Sequence, residues 1–503
     1  MTMLSRVLGL TRDIVIARFF SAGDAADAFF VAFKLPNFLR RLFAEGSFSL
    51  AFVPVLTEYK NQRSLLNTRD LIDHVAGTLA TILFVITLIG TLAAPLLVYV
   101  FAAGFIDQPG KFELTANMLR ITFPYIFLIS MTALAAGILN SWKQFAVPAF
   151  TPVLLNLSMI GCIIWLTPQL DVPVYALAWG VLLAGIIQLL FQLPFLYQLG
   201  LLPKPKWGWQ HKGVQKIIKL MIPALFGSSV TQINLLFDTF IASFLISGSV
   251  SWLYYSDRLL EFPLGVFGIA LATVVLPNLS EAHFKQGKNH FHNTMSWAIK
   301  IALLIAIPAT TGLLLLTLPI LASLFQYGEF TQNDTLMASY SLMAYSIGLP
   351  AFILIKILAN GFYARQDSKT PVSIGIKSML LNMLLNVVFV VTFVVTDWTA
   401  AHVGLALATS GSAWFNALKL AHQLKQQGII PDFSSQWISL FRVIGATIGM
   451  GILIWLMLPS VEFWTSGNWL ERILQLTKII LPSILFYLVL LWIMGARRQH
   501  YLL

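Results

Sequence analysis

Three stretches of otherwise apolar sequence carry charged side chains at spacings that could hold an anion. The first has Arg6, Arg12, Asp13 and Arg18, the second Lys34, Arg40, Arg41 and Glu45, and the third Asp257, Arg258 and Glu261. On a helix, Arg6 and Asp13 share a face while Arg12 points elsewhere. Arg41 and Glu45 stand four apart, and Arg258 and Glu261 three apart, so each pair can neutralise itself locally. Arg12 and Arg40 have no such intrahelical partner. A guanidinium left over in a cavity suits bidentate binding of a phosphate, whereas a cavity for cations would be acidic. The plainer reading lets Arg18 and Arg41 lie near helix ends and reach lipid headgroups. Asp238 reads as a polar group satisfied between helices, and Lys356 and Lys377 stand isolated.

Signs of covalent chemistry are missing from the sequence. There is no GxxxxGK[ST] phosphate loop and no HExxH motif, and the histidines, among them His74, His283, His290, His292 and His402, are scattered near loops. His290 and His292 read as solvated loop residues. The expectation is a protein that is not an enzyme, with no metal, no cofactor and no nucleic-acid partner.

The elements that must position these charges are membrane helices. Of 503 residues 58% are apolar and 11% charged, and the mean hydropathy is +0.80. Soluble chains carry roughly 25% charged residues, so half that charge cannot cover a water-soluble protein of this length. The apolar stretches are continuous and helix-length, which excludes an outer-membrane barrel. The single cysteine, Cys162, excludes an intramolecular disulfide. Arg6, Arg12 and Arg18 interrupt any cleavable signal core, so the first helix is expected to be retained.

Helix-length apolar segments lie near 1–20, 27–57, 71–104, 117–141, 146–167, 173–198, 214–246, 250–280, 293–325, 335–361, 371–395, 401–422, 437–459 and 470–495. The fold class is therefore all-α: a polytopic membrane protein of about fourteen transmembrane helices. With both termini cytoplasmic, sixteen Lys/Arg fall on the cytoplasmic side, among them Lys60, Arg63, Lys204, Lys206, Lys285, Lys288, Arg365 and Arg497, against Lys111 and Arg472 on the other. Sliding the chain by 223 residues lays 27–58 on 250–281 without a gap, Pro54 on Pro277, and Lys34 on Asp257. Helices 1–6 (1–200) and 7–12 (214–425) then form two parallel six-helix lobes. Residues 201–213 are a basic cytoplasmic linker, and 426–503 add two C-terminal helices. The second and eighth helices, related by the repeat, are both charged and broken, by Pro36 and Gly46 and by Pro263, Gly265 and Gly268. Irregular backbone at membrane depth is tolerated where it lines a cavity. Helices 1, 2 and 8 are expected to share one.

The residues also resemble a known family. Ser5-Arg6-Val7-Leu8-Gly9 with Thr11-Arg12-Asp13 is similar to the opening helix of the MurJ (MviN) lipid II flippases. So are the run from Asp27 to Asn37, Arg40-Arg41-Leu42-Phe43-Ala44-Glu45-Gly46, Gly248-Ser249-Val250-Ser251-Trp252, Asp257-Arg258 and Gly361-Phe362-Tyr363. The resemblance spans essentially the whole chain and departs mainly at an N-terminus that starts late. It implies a fold of the multidrug/oligosaccharidyl-lipid/polysaccharide exporter type. It also implies flipping of lipid II, the undecaprenyl-pyrophosphate-linked peptidoglycan precursor, to the periplasmic leaflet of the inner membrane. The implied cavity residues are Arg6, Arg12, Arg40 and Arg258 with Asp13, Asp27, Glu45, Asp257 and Glu261; Lys34 and Ser251 join them, and the last two helices offer a groove for the polyprenyl tail. Lipid II and membrane lipids are the expected partners, and a coupling ion or the membrane potential the expected drive. Cell-wall synthesis proteins are further candidate partners. The rival readings are an O-antigen-type flippase or cation-coupled drug exporter of the same fold, and a non-transporting cell-wall scaffold.

Overall fold

A computed structural model describes residues 2–41, 48–282, 288–430 and 437–496. Glu45, Gly46 and His283 lie outside the described residues. Within them all regular structure is helical. Packing divides the chain into two compact units, Met1–Ser251 and Trp252–Leu503.

The first unit holds α1 (Thr2–Phe20), α2 (Asp24–Leu39), α3 (Ser49–Gln62), α4 (Leu65–Leu92), α5 (Ala94–Phe101), α6 (Pro109–Thr122), α7 (Tyr125–Ser141), α8 (Ala146–Leu166), α9 (Tyr175–Gln198) and α10 (Lys212–Ser243). The second comprises α11 (Ser249–Pro263), which begins just before the division, then α12 (Ile269–Glu281), α13 (Lys288–Leu324), α14 (Gln332–Tyr363), α15 (Lys369–Val395), α16 (Val403–Gln426), α17 (Trp437–Met457), α18 (Val461–Ser466) and α19 (Trp469–Ile493). Among the described residues, ten helices or pairs of consecutive helices are long and apolar enough to cross a membrane. Together with α1, α2–α3, α10 and α16 they fall on the fourteen segments expected from sequence.

Local chemistry sets the ends. Ser21, at φ +58°, turns the chain out of α1. The Ser64 hydroxyl accepts the Asn67 N–H at the start of α4, and Thr331 and Asp334 form a reciprocal capping box on α14. The expected break in the eighth helix is a π-helical turn over Leu264–Gly268, directly after Pro263, between α11 and α12. Proline removes the backbone donor that a regular α-turn needs there. In the second helix α2 ends at Leu39, Arg40 and Arg41 continue as a π-turn, and α3 starts at Ser49; the expected break at Gly46 lies outside the described residues.

In the first unit Phe52, Leu56, Ile72, Ile138, Leu139 and Ile217 bring α3, α4, α7 and α10 into one core. That packing places α10 with the first unit, so the packing division falls after the linker and one helix beyond the start of the second sequence repeat. Residues 202–208 run along α4, where Gly77 allows backbone contact: a Cβ there would lie 2.1 Å from the Lys206 carbonyl oxygen. In the second unit α17 and α19 pack on α13 through Val443, Met450, Ile454, Ile479 and Tyr487. Outward-facing Leu92, Trp165, Val395 and Trp492 are each more than 70% exposed. An apolar side chain moved out of water gains about 1.5–3 kcal/mol, so this surface belongs in lipid.

Lys111 and Arg472, the two bases counted against the charge bias, both turn inward. Lys111 is buried between carboxylates. Arg472 donates to the carbonyls of Ala322, Gln326 and Thr465.

Candidate functional site

The charges on α1 divide into two kinds. Arg12 and Asp13 are buried and joined: Arg12 Nη2 and Nε donate to Asp13 Oδ1 at 2.7 and 3.0 Å. Arg12 Nη1 donates to Asn156 Oδ1 on α8 at 3.1 Å, and Asn156 Nδ2 donates to the Ser5 carbonyl. This corrects the expectation that Arg12 is left over. Sequence neighbours on a helix do not face one another, but a long guanidinium turned toward α8 reaches back to the adjacent carboxylate. Arg6, one face away, is half-buried, and its side chain makes no hydrogen bond or ion pair among the described residues. Arg18 is exposed at the end of α1.

On α2, Arg40 also has a partner that sequence spacing missed. Its Nε and Nη2 donate to Asn37 Oδ1 at 2.9 and 2.7 Å. Lys34 and, on α11, Asp257 are half-buried and engaged in polar interactions. The Arg258–Glu261 pair forms as the spacing implied, at 2.8 Å, with the Arg258 guanidinium 5.0 Å from the Tyr254 ring centre. Asp238 is half-buried on α10, and Lys356 and Lys377 are exposed on α14 and α15.

Asp27 sits at the centre of a different construction. It is 1% exposed. Oδ1 accepts from the Ser251 N–H and hydroxyl at 2.9 and 2.6 Å, and Oδ2 from the Gly248 N–H at 2.8 Å and Lys111 Nζ at 2.9 Å. Four donors, one of them a cation, offset the desolvation of one carboxylate. Lys111 also reaches Asp24 Oδ1 at 2.9 Å and lies 4.4 Å from the Phe105 ring centre, while Ser247 donates to Asp24 at 2.6 Å. The start of α11 is thereby tied to the start of α2. Lys111 and Gly248 were missed as members of this network; the sequence signal for Lys111 was its isolation on the acidic side.

Two further groupings come together from distant sequence. Asn382 and Asn386 on α15 are buried and bonded to each other, and Asn382 also bonds to Thr409 and Ser412 on α16. At the other end of the first unit, His74 and His211 stack beside Asp70. Burial, then the charge of His74, holds the His211 imidazole below its ordinary range against the opposing pull of Asp70.

Chemically, the described residues offer fixed cations and hydrogen-bond donors and no nucleophile activated by a base. The buried acids with defined partners are taken: Asp13 by Arg12, Asp27 by Lys111. Glu261, half-buried, is taken by Arg258.

Comparison with known proteins agrees in kind. A family profile described as lipid II flippase MurJ matches residues 16–475. The chain is 50% identical to a probable lipid II flippase MurJ of Vibrio cholerae serotype O1, covering 99% of this chain and 95% of the relative. It is 46% identical to one from Haemophilus influenzae, over 100% and 99% of the two. A solved structure of a lipid II flippase MurJ in an inward closed conformation superposes with a TM-score of 0.80 at 28% identity, covering 97% of this chain and 96% of that one. An inward-facing multidrug resistance MATE family transporter of the MOP superfamily shares the fold at a TM-score of 0.67 and 16% identity, over 84% and 95%. This multi-pass membrane protein belongs to the lipid II flippase MurJ family.

Proposed function

We propose that this protein flips lipid II from the cytoplasmic to the periplasmic leaflet of the inner membrane by alternating access, with both termini in the cytoplasm. The observation that carries the reading is the near-complete match to lipid II flippase relatives at 50% identity. The site chemistry supports it. A pyrophosphate head cannot cross hydrocarbon with its charge unpaired, and guanidinium groups at membrane depth can pair it bidentately.

Each unit contributes its own arginines. In the first, half-buried Arg6 and Arg40, the latter exchanging its Asn37 contact, meet the head; in the second it is Arg258, exchanging part of its contact with Glu261. Arg12 supports Arg6 by locking α1 to α8. Asp27 and Ser251 act as a latch at the starts of α2 and α11, which must open when the head group leaves. The exposed faces of α17 and α19, including Phe441, Ile448, Trp455, Leu481 and Trp492, hold the polyprenyl tail. No covalent step is required, and a coupled ion or the membrane potential supplies the drive. Acids at membrane depth that are occupied by bases argue against a cation exporter.

The test is depletion in the native cell. Lipid II should accumulate in the inner leaflet, inaccessible to a headgroup-cleaving enzyme added outside, and re-expression should restore access. Unchanged access on depletion overturns the reading.

A further inference from the structure

Asp70 and His74 lie one turn apart near the start of α4, and His211 is the residue that caps α10. The linker brings them together. The Lys204 N–H donates to Asp73 Oδ1 at 2.8 Å, the Lys206 N–H to the Asp73 carbonyl at 3.0 Å and the Gly208 N–H to the Thr78 hydroxyl at 3.0 Å. The His74 and His211 rings stack at 5.0 Å with 14° between their planes. One ligand atom from each of Asp70, His74 and His211 falls within 4.8 Å of the other two. Beside the rings opens a cleft of about 520 Å³ lined by His74, Trp207, Gly208, Trp209, Gln210 and His211.

His74 is held as a metal-binding histidine would be. Its Nδ1 lies 2.8 Å from the Asp70 carbonyl oxygen. A carbonyl only accepts, so Nδ1 carries the proton and Nε2 presents its lone pair. A ligating imidazole usually has its other nitrogen fixed by this kind of bond. His211 is set differently. Its Nδ1 accepts the Gly213 N–H at 3.1 Å, and Nε2 faces Asp70 Oδ2 at 3.5 Å.

We propose that Asp70, His74 and His211 bind one divalent transition-metal ion of zinc's class, stapling the linker and the start of α10 to α4. Two imidazoles and a carboxylate with a fourth position open to the cleft suit zinc, which takes such sets tetrahedrally at about 2.0–2.2 Å. Ligand atoms then stand roughly 3.4 Å apart, so the site closes by about an ångström through ring rotation of side chains that are only part-buried. Coordination through His211 Nε2 moves its proton to Nδ1 and gives up the Gly213 bond. The charges facing the site are mixed. Asp73 adds a carboxylate; Lys206, 3.9 Å from Asp70 and 3.5 Å from Asp73, and Arg63 oppose the ion.

The test uses full-length, tag-free protein in detergent, stripped with chelator and titrated calorimetrically with Zn²⁺. One equivalent should bind. His74→Gln and His211→Asn should each weaken it at least tenfold, and Lys206→Gln should tighten it. The control His290→Asn/His292→Asn should leave it unchanged. Asn keeps an acceptor for the Gly213 N–H at the cap, so loss of binding in His211→Asn is not loss of the helix start; equal thermal melts check this. Zn²⁺ should also slow trypsin cleavage after Lys206 at least threefold in the wild type and not in His211→Asn. Absence of a stoichiometric site at micromolar Zn²⁺, or a site that survives His211→Asn undiminished, overturns the proposal.

Discussion

The Asp27 carboxylate accepts both the backbone N–H and the hydroxyl of Ser251, 224 residues further along the chain, at 2.9 and 2.6 Å. Asp27→Asn removes the buried one of the two carboxylates that hold Lys111, leaving it the exposed Asp24, and turns an acceptor into a donor facing N–H groups. Breaking a buried ion pair from one side costs about 3–5 kcal/mol, whereas Ser251→Ala removes one hydroxyl and keeps the N–H, a loss of about 1 kcal/mol. Thermal melts of the purified variants should rank Asp27→Asn well below Ser251→Ala. Equal melts would show that the carboxylate is not held as the geometry indicates.

Arg12 and Arg6 should separate stability from transport. Arg12→Ala strands the buried Asp13, so protein level and melting temperature should fall, and Arg12→Ala/Asp13→Ala should recover part of both. Arg6→Ala should leave the melt unchanged and lose rescue of a flippase-depleted cell, with Arg6→Lys retaining more than Ala. If Arg6→Ala rescues fully, its guanidinium does not meet the substrate.

Orientation is checked by single cysteines in a Cys162→Ala background. Asn333, in the first turn of α14, and Ser368, just before α15, are both exposed, at helix ends expected to face opposite sides. A membrane-impermeant thiol reagent should label Asn333→Cys in intact spheroplasts and Ser368→Cys only after permeabilisation. The reverse pattern would invert the topology.

The linker should loosen in acid. His211 is held below its ordinary pKa of 6.5, first by burial and then by the charge of His74. A depressed histidine contributes stability that is present above the unfolded value and lost as pH falls through the folded one. A spin label at Gln210→Cys, in the same Cys162→Ala background, should therefore gain mobility as pH drops below 6.5. In His211→Asn it should respond less. Matching responses would remove the histidine from the explanation.

Much of this was legible in the sequence because membrane insertion imposes length and hydropathy on every span. Pro263 marked the π-turn that follows it, and the i, i+3 spacing of Arg258 and Glu261 gave their pair. The contacts that join distant residues were not legible. Ser247 and Asp24 lie 223 residues apart, the repeat offset itself, yet the offset does not say that the two ends touch. Helical spacing gives Arg12 no i, i+3 or i, i+4 partner, whereas its flexible side chain reaches the adjacent Asp13 against the Cβ direction. His74 and His211 meet where Gly77 and Gly208 let the linker lie against α4.

The central claim is tested most directly in vesicles. Purified protein is reconstituted with lipid II, and a headgroup-modifying enzyme is added outside, with and without an imposed membrane potential. Wild-type vesicles should allow all the lipid II to be consumed, while Arg6→Ala and protein-free vesicles should stop at the outer-leaflet share. Wild-type consumption that stops at that same share under both conditions would contradict flipping by this protein.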